Sequence, residues 1–449
     1  MFSHTPLSDP SLTTRLGNAF LLHAARYRAD PTYGLPTVET AWLNLVHDRT
    51  ARTSEPRLAE LAATMLDMLD DPSKHGASFI ADFQVHYEEA CSLAYPLTRA
   101  LIRAQQDIVG ITRDYTLSCI DLGLVRAFED EALKDPSMRS FVGDMLRKLE
   151  ADTKAPRHEV YREVFDVYSE AAVCHLLRLR GNGRFTIDKI PETSTPGPDF
   201  ECRLEIERDG VPAQLRFYIE VKALDIVDPK RRLPEMLDDG MAAQISLDEQ
   251  LAAGKTVAVA ETEIAPLSPC GPAPDYDPRS IRLAIEKIAE KAANNFGRAQ
   301  FQQGPTFALL NLLRFPLPGH GASSLAPSFY DDANGGACVS GVLWHVAFGK
   351  LGWPIYRCPE FEGDGTTDGT LTREGILVDP ALDLPAAGLI ALHHDDSTYR
   401  FDGLYDSRRE DKQGGWTDLE TQEVLHALCD AFNDRDNSYA HLYARYRSR

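Results

Sequence analysis

The chain has 449 residues, of which 43% are hydrophobic and 26% are charged, and this length accommodates about two or three domains with sizeable cores. Its formal net charge of −21 argues against a protein that coats nucleic acid through bulk electrostatics. No export signal is visible at the N-terminus, and the longest nearly apolar stretch, at 336–349, is too short to span a bilayer. We therefore expect a cytoplasmic protein with no membrane partner.

Residues 1–154 contain almost no strand pattern and predict an α-helical N-terminal domain. The segment 54–71 begins with Ser54 as a candidate N-cap and Pro56 in the first turn, and its leucines recur near helical spacing. Further amphipathic helices are predicted over 77–109, 117–134 and 139–151. No catalytic pattern occurs in this domain, so we expect it to support a homo-oligomer or to bind a protein partner.

A mixed α/β domain is predicted over 155–320. A helix over 157–180 precedes a β-hairpin at 196–223, and a second helix over 280–303 precedes the apolar run 305–313, which suits a buried strand. The predicted order is therefore helix, two or three strands, helix, strand, which is typical of an α/β fold.

The last third of the chain, 321–449, predicts an α+β extension. Two strands are expected near 388–406 and a closing helix over 418–433. The eight cysteines of the whole chain lie singly, without a CxxC pair or a Cys/His spacing typical of zinc sites. In a chain this long they predict reduced thiols, mostly in the core.

The register of the hairpin places two carboxylates opposite each other. With the turn at Asp209-Gly210, antiparallel partners have residue numbers that sum to about 420. Asp199 and Glu220 then face each other, with Cβ atoms about 5 Å apart. Because side chains alternate along a strand, Lys222 shares the face of Glu220.

Two carboxylates this close repel each other unless a proton or a cation lies between them. Mg²⁺ suits such a pair, because it takes oxygen ligands and often binds one or two carboxylates together with substrate phosphate oxygens. Lys222 would orient the attacking water and help to neutralise charge in the transition state. This is the chemistry of phosphodiester hydrolysis.

These residues resemble the motifs of the PD-(D/E)xK nuclease superfamily. Pro198-Asp199 matches the PD motif and Glu220-Val221-Lys222 matches the ExK motif. The resemblance covers about 155–315 and implies a restriction-endonuclease-like αβββαβ core. It also implies that Asp199 and Glu220 bind the metal, Mg²⁺ or Mn²⁺, and that Lys222 is the catalytic lysine.

Many members of the superfamily complete the site with a glutamate on the helix before the hairpin. Glu170 occupies the corresponding place about 30 residues before Asp199, and the resemblance implies that it is catalytic and a metal ligand. Glu163, two turns earlier, is the second choice. An exposed helix residue with no role in the site is the alternative interpretation of Glu170.

The expected activity is a metal-dependent nuclease, an endonuclease of the PD-(D/E)xK type. DNA is the substrate that the resemblance favours, in restriction, phage and other antiviral defence, or repair. Two alternatives stay open: an RNA-cleaving enzyme with the same site, and a non-catalytic assembly subunit on a nuclease-like fold. In a third interpretation, Glu220 and Lys222 are only an ion pair on the solvated face of an edge strand.

Although the chain is acidic overall, it contains local basic clusters that could contact phosphates. They comprise Arg178, Arg180 and Arg184 before the hairpin, Lys230-Arg231-Arg232 after it, Lys287, Lys291 and Arg298 on the second helix, and the C-terminal Tyr/Arg segment 438–449. For each cluster, a solvated face or a helix end is the alternative to a phosphate contact. Two metal-like patterns, the acidic loop 363–375 and His393-His394, are interpreted as a surface loop and a strand.

Overall fold

The structure is a computed structural model, and it describes most of the chain between residues 55 and 433. The described ranges are 55–70, 79–106, 115–151, 157–191, 196–225, 244–255, 280–315, 337–356, 367–395, 398–406 and 416–433, with Arg49 and a few short pieces between them. Among these residues, none of the helices combines the length and the apolar character needed to cross a bilayer.

The chain forms two compact units. The first comprises Met1–Val109 with Asp121–Thr153, and the second comprises Gly110–Ile120 with Lys154–Arg449. The regular elements described in the first unit are helices: α1 (Pro56–Asp70), α2 (Phe79–Ala94), α3 (Pro96–Gln106), α5 (Leu122–Glu131) and α6 (Pro136–Glu150). The short α4 (Tyr115–Ser118) belongs to the second unit.

One helix that the sequence predicts in the first unit is interrupted in the structure. The sequence predicts a single helix over 77–109, whereas α2 ends at Ala94 and α3 begins at Pro96. Proline disfavours helical backbone in the residue before it, here Tyr95, and suits the first position of a new helix. The buried Glu129 carboxylate accepts the backbone N–H of Leu97 at 2.7 Å, which satisfies a donor at the start of α3 that has no partner within the helix.

The second unit is a mixed α/β structure. Its other helices include α7 (Arg157–Arg180), α8 (Ile281–Asn295), α9 (Val342–Phe348) and α10 (Asp418–Leu428), and residues 244–252 are also helical. Its strands are β1 (Phe185–Lys189), β2 (Phe200–Arg208), β3 (Val211–Asp225), β4 (Thr306–Arg314), β5 (Ser328–Asp331), β6 (Ala337–Ser340), β7 (Pro354–Tyr356), β8 (Thr367–Thr370), β9 (Gly388–Asp395), β10 (Thr398–Leu404) and β11 (Ala431–Phe432).

Seven of these strands form one sheet in the order β1-β2-β3-β4-β9-β10-β11, and β5–β8 form a second sheet of four strands. Strands β2 and β3 are antiparallel, whereas β3, β4 and β9 run parallel. Parallel neighbours need a crossover connection, and α8 lies in the chain between β3 and β4. Strands β9 and β10, predicted near 388–406, therefore extend the sheet that holds the hairpin.

The predicted turn and register of the hairpin are confirmed. Asp209 and Gly210 have φ angles of 52° and 78°, as a two-residue turn with positive φ at both positions requires. Phe200 pairs with Ile219, so partner numbers sum to one less than the predicted 420. The predicted apolar strand is also confirmed, because all nine residues of β4 are buried.

Strand β3 pairs with β4 at Glu220 and Lys222, and Glu220 is 1% exposed. The interpretation of these two residues as the solvated face of an edge strand is therefore wrong. Behind this part of the sheet, Leu224 packs in one core with Ile285 and Ile288 of α8 and with Trp344 of α9. The site is thus attached to a packed region of the second unit.

Several secondary signals find structural explanations. The five cysteines whose side chains are described, Cys91, Cys119, Cys174, Cys202 and Cys429, are free thiols, as predicted. Adjacent His393 and His394 have opposite environments, since His393 is buried against Asp402, at 2.9 Å, and His394 is exposed. Part of the segment interpreted as an acidic surface loop forms β8 instead, and Asp368 of that strand accepts the backbone N–H of Arg282 at 3.0 Å, at the start of α8.

Candidate active site

The site lies where β3 continues beyond its partner β2. The ladder ends with the pair Phe200 and Ile219, and β3 runs on to Asp225 beside β4. Asp199 stands directly before β2. Its backbone N–H donates to the Ile219 carbonyl at 3.1 Å, and its carboxylate Oδ2 accepts the backbone N–H of Val221 at 2.7 Å. The Asp199 side chain thus accepts a hydrogen bond from β3 at a position where β2 provides no partner.

Glu220 is more deeply buried than the hairpin pattern predicts, with 1% of its surface exposed. Its Oε1 lies 2.5 Å from Nζ of Lys222 and also accepts a hydrogen bond from the side-chain amide of Gln300. Its Oε2 is buried and has no hydrogen-bond donor among the residues that the structure describes. A buried carboxylate oxygen without a donor is costly for a protein, and a cation would satisfy it.

Burial and proximity both disfavour two negative charges here. Burial, and then the charge of Glu220, raise the pKa of Asp199 to about 7. Burial also raises the pKa of Glu220, against the opposing effect of Lys222. At neutral pH the pair therefore holds a proton for part of the time, and a divalent cation would replace that proton.

Glu170 of α7 lines the same cavity as Asp199 and Lys222. Its Oε2 lies 2.8 Å from Nζ of Lys189, the last residue of β1, and its charge helps to raise the pKa of Glu220. Glu163, the second choice from the sequence, is exposed and lies outside the cavity lining. The geometry therefore favours Glu170 as the helix residue of the site.

The cavity has a volume of about 290 Å³ and is bordered by α7, β3 and α8. Within the described residues, no group of three or more His, Cys, Asp and Glu side chains is arranged to hold a metal ion. The donor set at hand is a pair, Asp199 and Glu220. A pair suits Mg²⁺, which commonly keeps several waters and takes only one or two carboxylates from the protein.

In the two predicted basic clusters that the structure describes, most side chains contact other groups of the protein. Arg178 donates to the Ile187 carbonyl at 3.0 Å, and Arg180 pairs with Asp430 at 2.6 Å. On and after α8, Lys287 lies 3.7 Å from Glu290 and Arg298 lies 3.0 Å from Asp383. Lys291 lines the cavity. Lys230-Arg231-Arg232 and the Tyr/Arg segment 438–449 lie outside the described residues.

Lys189 and Gln300, which contact Glu170 and Glu220, were not predicted from the sequence. Lys189 ends β1 opposite Phe200, so a prediction of that short strand and its register would have placed it beside Asp199. Gln300 lies in the 3₁₀ turn Arg298–Phe301 after α8, and no spacing rule connects that turn with Glu220.

Comparison of the chain with protein-family models, curated proteins and solved structures gave no match.

Proposed function

We propose that the chain is a metal-dependent nuclease that hydrolyses phosphodiester bonds at Asp199, Glu220 and Lys222. The observation that carries this proposal is the pair of carboxylates at the end of the β2–β3 ladder, half-buried Asp199 and buried Glu220, with a lysine 2.5 Å from Glu220. The element order from α7 to β4 is helix, three strands, helix and strand, apart from an additional helix at 244–252, and it supports a restriction-endonuclease-like core over 157–314.

Asp199 and Glu220 would hold Mg²⁺ or Mn²⁺ between them. The bound ion would supply Lewis-acid stabilisation of the phosphoryl oxygens and lower the pKa of a water molecule. The Val221 N–H fixes one oxygen of Asp199, and Gln300 fixes one oxygen of Glu220. Among the described residues, the second oxygen of Glu220 has no side-chain or backbone N–H donor, so it is available as a ligand.

Lys222 supplies the positive charge that the transition state needs. Its ammonium group lies beside Glu220, and three N–H donors let it bind that carboxylate and a phosphate oxygen or the attacking water. Stabilising charge as it develops is often the largest contribution to such a rate. Glu170, paired with Lys189, would contribute from the edge of the site.

DNA is the proposed substrate, and restriction, antiviral defence or repair are the proposed settings. Both proposals rest on the resemblance of the Pro198-Asp199 and Glu220-Val221-Lys222 motifs to the PD-(D/E)xK nucleases. An RNA substrate would use the same residues. We also propose that the first unit mediates self-assembly or binds a protein partner.

One observation favours a second candidate, a non-catalytic assembly subunit. Glu220 is paired with Lys222, and Glu170 with Lys189, so two of the three acidic groups of the site have partners within the protein. In that case these charged residues would only stabilise the fold, and the two carboxylate–lysine pairs would not separate to bind a metal.

The discriminating experiment incubates the protein with plasmid, linear duplex, single-stranded DNA and RNA, in Mg²⁺, Mn²⁺ or EDTA. The proposal expects cleavage of at least one substrate that requires the metal and is lost in Asp199→Asn. Metal-dependent thermal stabilisation of the wild type, absent in Asp199→Asn, provides a readout independent of the substrate. Absence of both effects would support the assembly subunit.

A further inference from the structure

A second charged cluster lies in the same cavity, around the last residue of β3. Asp225 is 7% exposed and is approached by three cations from three different elements. These are Lys291 of α8 at 3.0 Å, Arg314 of β4 at 3.5 Å and Arg162 of α7 at 3.6 Å, each distance joining a side-chain nitrogen to an Asp225 oxygen. All four residues line the cavity with Asp199 and Lys222.

The end of β3 brings this cluster together. The β3–β4 pairing shifts register between Ala223 and Asp225, so that Asp225 pairs with Arg314 rather than with the preceding residue. Arg314 is 1% exposed and its guanidinium lies 4.2 Å from the centre of the Phe165 ring. The buried Arg314 and Asp225 thus hold the two outer cations, Arg162 and Lys291, in position.

The cations of this cluster outnumber its carboxylates. Arg314 also lies 3.5 Å from Asp166, so three positive groups share two negative ones. The side chains of Arg162 and Lys291 are 62% and 31% exposed, which allows a ligand to reach both. An excess of reachable cations on a cavity wall favours an anion, and phosphate matches both guanidinium and ammonium donors.

We propose that Arg162 and Lys291 bind a backbone phosphate of the nucleic-acid strand that is cut at Asp199, Glu220 and Lys222. This inference rests on the proposed nuclease function and adds a second phosphate contact to it. Lys222 and Asp225 are three residues apart on β3, about 10 Å at the usual rise per residue. One strand carries a phosphate about every 3.4 Å of helix axis, so the two contacts fall within about three nucleotides.

Asp225 competes with a phosphate for Arg162 and Lys291, and it also positions these two side chains. It holds Arg162 and Lys291 in place when no strand is bound, and a phosphate entering between them gains two charge-assisted contacts. Asp225 and Arg314 are positioning residues in this arrangement. Because the contact is made to the backbone, it should strengthen binding of all sequences equally.

The test measures binding of fluorescent single-stranded and duplex oligonucleotides in EDTA at several salt concentrations. The variants are Arg162→Gln, Lys291→Gln and the double variant, with Lys287→Gln as a control that removes the same charge from α8 outside the cavity. Each lost phosphate contact should lower the slope of log affinity against log salt by about 0.9 for duplex or 0.7 for a single strand. Each subsite variant should show that loss, and Lys287→Gln should keep the wild-type slope.

Cleavage assays on the same variants separate the two proposals. We expect Arg162→Gln and Lys291→Gln to raise KM by roughly threefold to tenfold at moderate salt and to leave kcat nearly unchanged. Arg162→Lys, which keeps the charge, should recover most of the affinity. If the wild type cuts and the subsite variants bind and cut like Lys287→Gln, the subsite is overturned and the nuclease function stands. If nothing is cut in Mg²⁺ or Mn²⁺ but the slopes fall as expected, the phosphate subsite stands and the nuclease function fails.

Discussion

The Asp199 carboxylate accepts a hydrogen bond from the backbone N–H of Val221, at 2.7 Å. Strand β2 begins one residue later, so this side chain satisfies a backbone donor that the sheet leaves open. The bond orients Asp199, which lines the cavity together with Lys222. Asp199 therefore stands both at the end of the β2–β3 ladder and at the start of the candidate site.

Asp199→Asn, Glu220→Gln and Lys222→Gln should each reduce metal-dependent cleavage by about a hundredfold or more, because the first two remove charges that would hold the metal and the third removes the positive charge beside the reacting phosphate. The two carboxylate substitutions conserve volume, which matters because Glu220 is buried. Steady-state cleavage rates at saturating Mg²⁺ measure the effect, with circular dichroism to check the fold. Glu205→Gln, an exposed position on β2, is the matched control. A Lys222→Gln protein as active as the wild type would contradict the nuclease proposal.

Glu170→Gln should weaken metal affinity more than it lowers the maximal rate, because Glu170 lies at the edge of the site and is held by Lys189. Excess Mg²⁺ or Mn²⁺ should therefore partly restore cleavage. The measurement is the metal concentration that gives half-maximal activity. Glu163→Gln, on the exposed face of α7, should behave as the wild type. Rescue seen with Glu163→Gln and not with Glu170→Gln would show that the wrong turn of the helix was chosen.

Gln300→Ala should raise the metal concentration needed for half-maximal activity by about tenfold to a hundredfold. Gln300 donates to the Glu220 oxygen that also contacts Lys222, and residues that orient a metal ligand typically have effects of about this size. Gln302→Ala removes an exposed glutamine of the same segment and serves as the control. Equal metal dependence in the two variants would argue against a positioning role for Gln300.

The sequence predicts the hairpin and its two motifs because they depend on local rules. A turn at Asp209-Gly210 and the two-residue period of a strand are sufficient to place Asp199 opposite Glu220. The burial of Glu220 could not be predicted in the same way. It depends on the turn that carries Gln300, 80 residues later in the chain, and on β4 covering the open side of β3.

The cluster at Asp225 shows the same limit of local patterns. Arg162, Lys291 and Arg314 come from two helices and a strand, and each taken singly resembles an ordinary charged residue. The register shift at the end of β3 brings Arg314 to Asp225. No periodicity in the sequence predicts this shift. Polar clusters built from several elements require the tertiary structure to be recognised.

The raised pKa of Asp199 predicts a pH-dependent stability in EDTA. Its folded-state pKa, about 7, lies above the ordinary value of 3.8, so the folded protein keeps a proton that the unfolded chain has lost between these pH values. This contribution to stability is largest at low pH and is lost as pH rises through 7. Asp199→Asn does not titrate, so its melting temperature relative to the wild type should rise by a few degrees from pH 5 to pH 8. Saturating Mg²⁺ should reduce the difference at pH 8, and a pH-independent difference in EDTA would contradict the raised pKa.

The last prediction concerns the first unit and the net charge. The segment 151–320, which holds the proposed site, carries 21 basic and 26 acidic residues, so only a few local cations can hold a strand. Few phosphate contacts give a shallow salt dependence and weak binding by one chain. We therefore expect the active form to be an oligomer or a complex with a partner, docked through the first unit.

A cut near residue 155 would be a poor test of this expectation, because 110–120 belongs to the second unit, where α4 packs against α7. The sharper comparison joins 110–120 to 154–449 through a flexible Gly/Ser linker, which omits only the first unit. Light scattering and salt-dependent DNA binding then compare this protein with the full chain over a range of concentrations. We expect the full chain to show a larger mass state and tighter binding. If the shortened protein is folded, has the same mass state and cuts equally well, the first unit is not an assembly module.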